Sequence, residues 1–435
     1  MLKFLKNREI KNAGWIIGER VVQMMLTFLI SILSARYLGP NNYGSLNYTA
    51  SFITFVSSIA TLGMDGVVIK KMIAHSDKEG DFLGGGMILR LVSSVLCSAV
   101  VVGAVAFLNP GDKEKIILVL LQSIQLLFQA VNLLDSWFQR YLKSKYISIA
   151  KAMASIVVLG YKLWLLATAK SVVWFAFSNS LTSIIVAIVL LIFYWKSRAP
   201  VLKCNVGAGL LVLNDSYHYI LSGLMVALYG QMDKIMIGKM LSDADVGLYA
   251  SATAICGMWI FVPIAIINSF RPTILALRQS GHLASYHRRL RQLYSCIIWL
   301  CIGVSTVVFI LAPVIVSIMY GEMYMGAVRT LRIAIWSETF SMIGTARGIW
   351  ILAEDKNKYV KYYLVIGVAI NLLLNVLLIP LWGIEGASLA TLITQAITSV
   401  FAPVFFKATR VHSKIVWESF CFLWYFQKND MSTKT

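Results

Sequence analysis

Apolar residues fall into about twelve runs of roughly 18 to 27 residues, each long enough to cross a ~30 Å hydrocarbon core as a helix. The runs cover 12–37, 44–68, 84–108, 115–136, 147–168, 172–195, 215–239, 246–270, 292–319, 328–352, 359–381 and 384–406. The connections are short, the longest being 271–290. No run has the short apolar core and small-residue cleavage site of a removed signal peptide, so the first is read as a retained helix. The pattern predicts an all-α, polytopic membrane protein.

Polar positions inside the runs recur at helical spacing. Asn47, Ser51, Thr54, Ser58, Thr61 and Asp65 share one face of the second run. Gln122, Gln125, Gln129, Asn132 and Asp135 share a face of the fourth, and Glu19, Gln23, Thr27 and Ser31 a face of the first. Ser and Thr in such places commonly serve helix packing. Amides and charges at that depth cost several kcal/mol if they face lipid, so they turn to the protein interior or to water. With Glu338, Ser341 and Thr345 in the tenth run and Ser388, Thr391, Gln395 and Thr398 in the twelfth, faces from both halves of the chain predict a hydrated central space.

A short internal repeat supports a two-part plan. "ARYLGPNNYGSLNYTAS" (35–51) joins the first two runs, and "GKMLSDADVGLYASATA" (238–254) joins the seventh and eighth. Each places a basic residue eight positions before a glycine, Arg36 to Gly44 and Lys239 to Gly247, followed by Leu and Tyr. Parallel repeats about an axis along the membrane normal recur in transporters. The expected division is a lobe at 1–200, a second lobe at 201–410 and a cytoplasmic tail at 411–435.

Composition agrees with the pattern. Hydrophobic residues make up 58% and charged residues 14% of the chain, with a mean hydropathy of +0.75, whereas soluble domains are about a quarter charged. An inward N-terminus places 26 of the 39 basic residues in cytoplasmic segments, so both termini are expected inside. The net charge of +19 mostly follows from this bias and faces anionic lipid. Nucleic-acid binding is not expected, because no soluble domain carries a basic and aromatic stripe.

The bias leaves charges within the runs. Arg20, Arg90, Lys162, Lys234 and Arg347 are the candidates for contacting substrate. Glu19, Asp65, Asp233, Glu338, Gln125 and Gln129 are candidates for ion coupling or for lining the cavity. Interhelical salt bridges are the competing explanation for each charge. Neighbouring helical residues point about 100° apart, so Asp233 and Lys234 need not pair with each other. Basic side chains in a cavity suit an anionic solute, and guanidinium groups match phosphate with two parallel hydrogen bonds. The six cysteines form no CxxC pair and are expected as free thiols, and the histidines make no metal set. No cofactor is expected, and there is no GxxxxGK[ST] phosphate loop.

Four stretches carry a family resemblance. "QMDKIMIGKMLSDADVGLYASA" (231–252) resembles the seventh-span signature of bacterial polysaccharide flippases, an Asp-Lys followed by apolar residues and a V-G-x-Y turn. "LLDSWFQRYLKSKYISIAK" (133–151) is similar to the segment after the fourth span, and "ARYLGPNNYGSLNYTASF" (35–52) to the first hairpin. "LIPLWGIEGASLATLITQ" (378–395) resembles the last turn, with its Gly-x-x-Gly-Ala. The family is the Wzx-type O-antigen and capsule flippases, within the multidrug/oligosaccharidyl-lipid/polysaccharide exporter (MOP) superfamily. The resemblance implies two six-helix lobes around a central cavity and alternating access in the bacterial inner membrane. It also implies a substrate of undecaprenyl pyrophosphate carrying an oligosaccharide, with a polymerase and a chain-length regulator as partners, and no enzymatic activity. Two other classes compete. A drug exporter of the same superfamily would favour an acidic cavity, and a membrane polymerase would carry a large periplasmic loop.

Overall fold

The computed structural model describes the backbone of residues 2–420 and the side chains of residues 26–420. The expectations on Glu19 and Arg20 fall outside those side chains. Among the described residues every regular element is a helix. The chain divides into two compact units, Met1–Gly247 and Leu248–Thr435.

The first unit contains α1 (Leu2–Ala60), α2 (Asp65–Ala74), α3 (Glu79–Leu108), α4 (Lys113–Gln129), α5 (Leu134–Arg140), α6 (Ser144–Ala167), α7 (Val172–Lys196) and α8 (Val206–Met240), and ends within α9 (Asp243–Gly257). Helix α1 is broken at Gly39, whose φ of 70° and ψ of 171° lie outside the helical region. Glycine tolerates the positive φ there, and Pro40, fixed near −65°, starts the next helix. Helix α8 packs on α1 and α3, α4 on α7, and α6 on α1 and α7. The apolar core gathers around Met64, Leu83, Leu133, Phe138 and Leu190, close to the helix ends that carry the basic connections.

Glu79 ties those ends together. It is 2% exposed, and its carboxylate accepts from Trp137 Nε1 at 3.1 Å and from the Tyr141 hydroxyl at 2.7 Å while ion-pairing with Arg140. The donated bond to Glu79 raises the Tyr141 hydroxyl above its ordinary pKa. These partners belong to the "SWFQRY" stretch, which gives that motif a structural use.

The second unit continues with α10 (Phe261–Gln279), α11 (Leu283–Tyr320), α12 (Ala327–Ala353), α13 (Lys358–Ala396), a π-turn at Ile397–Phe401, α14 (Ala402–Phe405) and α15 (Arg410–Phe420). Helix α13 breaks at Gly383 (φ 59°). Three residues on, a Cβ at Gly386 would strike the Leu378 carbonyl. That turn and that close approach require the two glycines of the Gly-x-x-Gly-Ala stretch. The core holds Leu290, Tyr294, Ile298 and Trp350. Glu354 accepts from Arg278 through Nε at 2.9 Å and Nη2 at 3.2 Å, and from the Tyr286 hydroxyl at 2.9 Å.

Nine helical stretches among the described residues are long and apolar enough to cross a membrane, against the twelve runs read from hydropathy. Two of the nine stretches each hold two helices that meet at a kink, at Gly39 and at Gly383, so each corresponds to a pair of runs. Helix α12 carries Arg329, Arg332, Glu338 and Arg347 and is not among the nine.

Candidate substrate site

A cavity of about 280 Å³ opens inside the first unit between α1, α6 and α7. Helix α1 supplies Thr27, Ser31 and Ser34 before its kink, and Tyr43 and Asn47 after it. Helix α6 adds Ser155 and Lys162, and α7 adds Asn179 and Thr182. Ile30, Leu46, Ala50 and Val158 complete the wall. The helical periods place these residues together: Thr27, Ser31 and Ser34 recur at steps of four and three, and Asn179 and Thr182 at three.

Some of this polar lining is already engaged. Ser31 and Tyr43 share a 2.7 Å hydrogen bond, and the Asn47 amide donates to the Tyr43 carbonyl at 2.8 Å. Ser155 and Thr182 donate back to carbonyls of their own helices. Lys162 and Asn179 are half-buried and bond to no described residue. Ser34 is 2% exposed, and its hydroxyl has no partner among the described residues. Lys162 is the one cation in the described lining, and no described carboxylate lines the cavity.

The other basic candidates fall into two kinds. Lys234 is half-buried on α8 and ion-pairs with no described residue, while Asp233 beside it is buried. Arg90 is 1% exposed and donates to Asp65 at 2.9 Å, which joins two candidates in a bridge between α3 and α2. Arg347 on α12 is buried. Its Nη1 donates to the carbonyls of Thr398 and Ser399 in the π-turn, and its guanidinium lies 4.3 Å from the Tyr363 ring centre. A π-turn leaves carbonyls without their usual helical donors, and this guanidinium meets two of them. Glu338 is half-buried without a hydrogen bond or ion pair to a described residue.

The polar faces separate in the same way. Along α1 the hydroxyls of Thr49, Ser51 and Thr54 donate to carbonyls four residues back, the local bonding that such side chains adopt in helices. Gln122 is fully buried and donates to the Leu46 carbonyl at 3.2 Å. Gln125 and Gln129 are half-buried and bond to no described residue. Among the described residues no group of three or more His, Cys, Asp or Glu is placed to hold a metal.

Sequence reasoning singled out Lys162, Thr27, Ser31 and Asn47 but missed Ser34, Tyr43, Asn179 and Thr182. Spacing alone offered a weak signal for Asn179 and Thr182. It offered the same for Ser34, three positions after Ser31, but that residue reads equally as one of the packing serines of its helix.

Comparison with known proteins bears on the family and the fold. Residues 10–277 match the model of a family described as "Polysaccharide biosynthesis protein". The chain belongs to that family. Among its relatives is the "Probable flippase AglR" of Haloferax volcanii, 23% identical over 88% of this chain and 80% of the relative. The fold is shared with the solved structure "Lipid II flippase MurJ, inward closed conformation". That pair has a TM-score of 0.75 at 14% identity, covering 96% of this chain and 92% of that one. It is shared also with an inward-facing multidrug-resistance MATE transporter of the MOP superfamily, with a TM-score of 0.72 at 13% identity over 90% and 95% of the two chains. The chain is thus a multi-pass membrane protein that shares its fold with these two solved structures.

Proposed function

We propose that the chain is a flippase that carries undecaprenyl-pyrophosphate-linked oligosaccharide repeat units, of O-antigen or capsule type, from the cytoplasmic to the periplasmic leaflet. It works by alternating access of two six-helix lobes, 1–200 and 201–410, in a bacterial inner membrane with both termini inside. The observation that carries the reading is Lys234, held half-buried on an apolar helix without a salt bridge to a described residue, its chain neighbour Asp233 being the one described charge acting on it. A cation in that setting is costly unless something anionic visits it. Family membership and the flippases among the relatives point the same way. Arg90 and Arg347, committed to Asp65 and to the π-turn, support the walls. The chain performs no covalent step and needs no cofactor. An ion gradient, or removal of the flipped product by a partner polymerase with its chain-length regulator, drives the transfer.

The test is complementation of a host deleted for its flippase, with wild type and Lys234→Met at matched membrane abundance. Restored surface glycan with wild type and a loss of at least tenfold with Lys234→Met support the reading. Cytoplasmic-leaflet accumulation of the lipid-linked unit in the variant completes the support. Failure of wild type to restore any glycan, together with drug efflux from the same cells, moves the protein to the exporter class.

A further inference from the structure

We propose that the Lys162 cavity is a specificity site for one carboxylate-bearing sugar ring of the glycan, a uronate or a sugar of like charge. The inference rests on the flippase reading and deepens it.

Three observations carry the proposal. The first is size. A cavity of about 280 Å³ lies near the lower end of the range for small-molecule pockets, a size that suits a sugar ring. The second is the balance of hydrogen bonding. The groups without a described partner are the Lys162 ammonium with three donors, the Asn179 amide and the Ser34 hydroxyl. Donors exceed acceptors in that set, so the matching ligand is rich in acceptors. The third is charge. A single ammonium is the one charge in the described lining and faces no described carboxylate. One carboxylate balances it, whereas a pyrophosphate brings more charge than the described lining meets. The remaining wall fits the ring, because Thr27, Asn47 and Asn179 offer hydroxyl and amide partners while Val158 and the Tyr43 side chain offer apolar surface.

The experiment uses the full chain in lipid nanodiscs, with binding of sodium glucuronate, glucose and inorganic phosphate read by intrinsic fluorescence and by thermal shift. Glucuronate is expected to bind at least tenfold more tightly than glucose or phosphate. Lys162→Met should abolish that preference and Lys162→Arg should largely keep it. Equal responses to glucuronate and glucose, a stronger response to phosphate, or an unchanged preference in Lys162→Met would overturn the proposal. In cells, wild type and Lys162→Met are compared on hosts making an acidic and a neutral repeat unit. Selective loss of the acidic glycan supports the proposal, and equal loss or no loss overturns it. Failure of wild type on both glycans is a different outcome, which removes the flippase reading itself.

Discussion

A Cβ at Gly44 would strike the main-chain carbonyl of Asp243. The reciprocal contact holds too, since a Cβ at Gly247 would strike the main chain of Pro40. The two repeated stretches therefore touch backbone to backbone at their matched glycines. Gly44→Ala or Gly247→Ala should destabilise the protein by about 1–3 kcal/mol, the usual cost of overpacking a tight contact. Thermal unfolding in detergent checks this, and an unchanged midpoint for both variants would mean that the contact is looser than described.

Ser45 donates to Asp243 at 3.0 Å across the same contact, and Lys115 pairs with that carboxylate at 2.9 Å. A Ser45→Cys, Asp243→Cys pair should cross-link on oxidation. If alternating access parts these turns, the cross-linked protein loses glycan export at least tenfold and recovers it on reduction. Export at the wild-type rate with the link intact would show that transport leaves the turns together.

Glu79 is buried with three donors around it. Removing one member of a buried ion pair strands the other, at a cost of 3 kcal/mol or more by the usual range of about 3–5. Glu79→Gln should therefore cost about 3 kcal/mol. Adding Arg140→Met should restore part of it, because the stranded cation is gone. A double-mutant cycle on unfolding midpoints measures the coupling, and additive losses would deny it.

Lys234→Met and Arg347→Met should separate function from folding. Lys234 gives up no described bond, so its loss should leave the unfolding midpoint within a degree or two and lower export at least tenfold. Arg347 gives up two carbonyl contacts and a ring contact, so its loss should lower the midpoint clearly. A large stability loss in the lysine variant, or none in the arginine variant, would reverse these assignments.

His412 on α15 is fully buried, and its Nε2 lies 2.8 Å from the Tyr294 hydroxyl. Burial, helped by the Arg347 charge, pushes its pKa well below the usual range. Above about pH 6.5 the imidazole is neutral both folded and unfolded, and its stabilising share is intact. As the pH falls below that value the unfolded chain takes the proton first, so stability declines by up to about 1.4 kcal/mol per pH unit. Melting curves between pH 7.5 and 5 should show this decline and a shallower one in His412→Gln. Parallel curves would remove His412 as the cause.

The helices were legible because a membrane span must be both long and apolar, and few other structures need such runs. The Gly39–Pro40 and Gly383 breaks were legible too, since each interrupts a run at a residue with a backbone reason to be there. Helix α15 was not, because a helix that buries only His412, Ile415, Val416 and Ser419 reads as a charged tail. The site was legible only in part. Lys162 and Lys234 stood out because a charge within an apolar run is rare. Whether a charge is already matched depends on distant residues, as with Arg347 and a turn fifty residues away, so the sequence could not separate it from Lys234. Ser34 shows the same limit, since only the absence of a described hydrogen-bond partner distinguishes it from a packing serine. Glu79 lay outside every run and so drew no attention, although it holds Trp137, Arg140 and Tyr141 together.

The π-turn at Ile397–Phe401 sets the phase of everything after it. A wide turn takes in one residue more than an α-turn, so the chain beyond it emerges rotated by about one residue's step, roughly 100°. Without the turn, Ala402 and Pro403 would no longer present their buried side to the core. The side chain that satisfies the turn belongs to α12, a different helix. Arg347 thus acts as a clocking pin: the angle at which the last span leaves its helix is fixed by a residue on its neighbour.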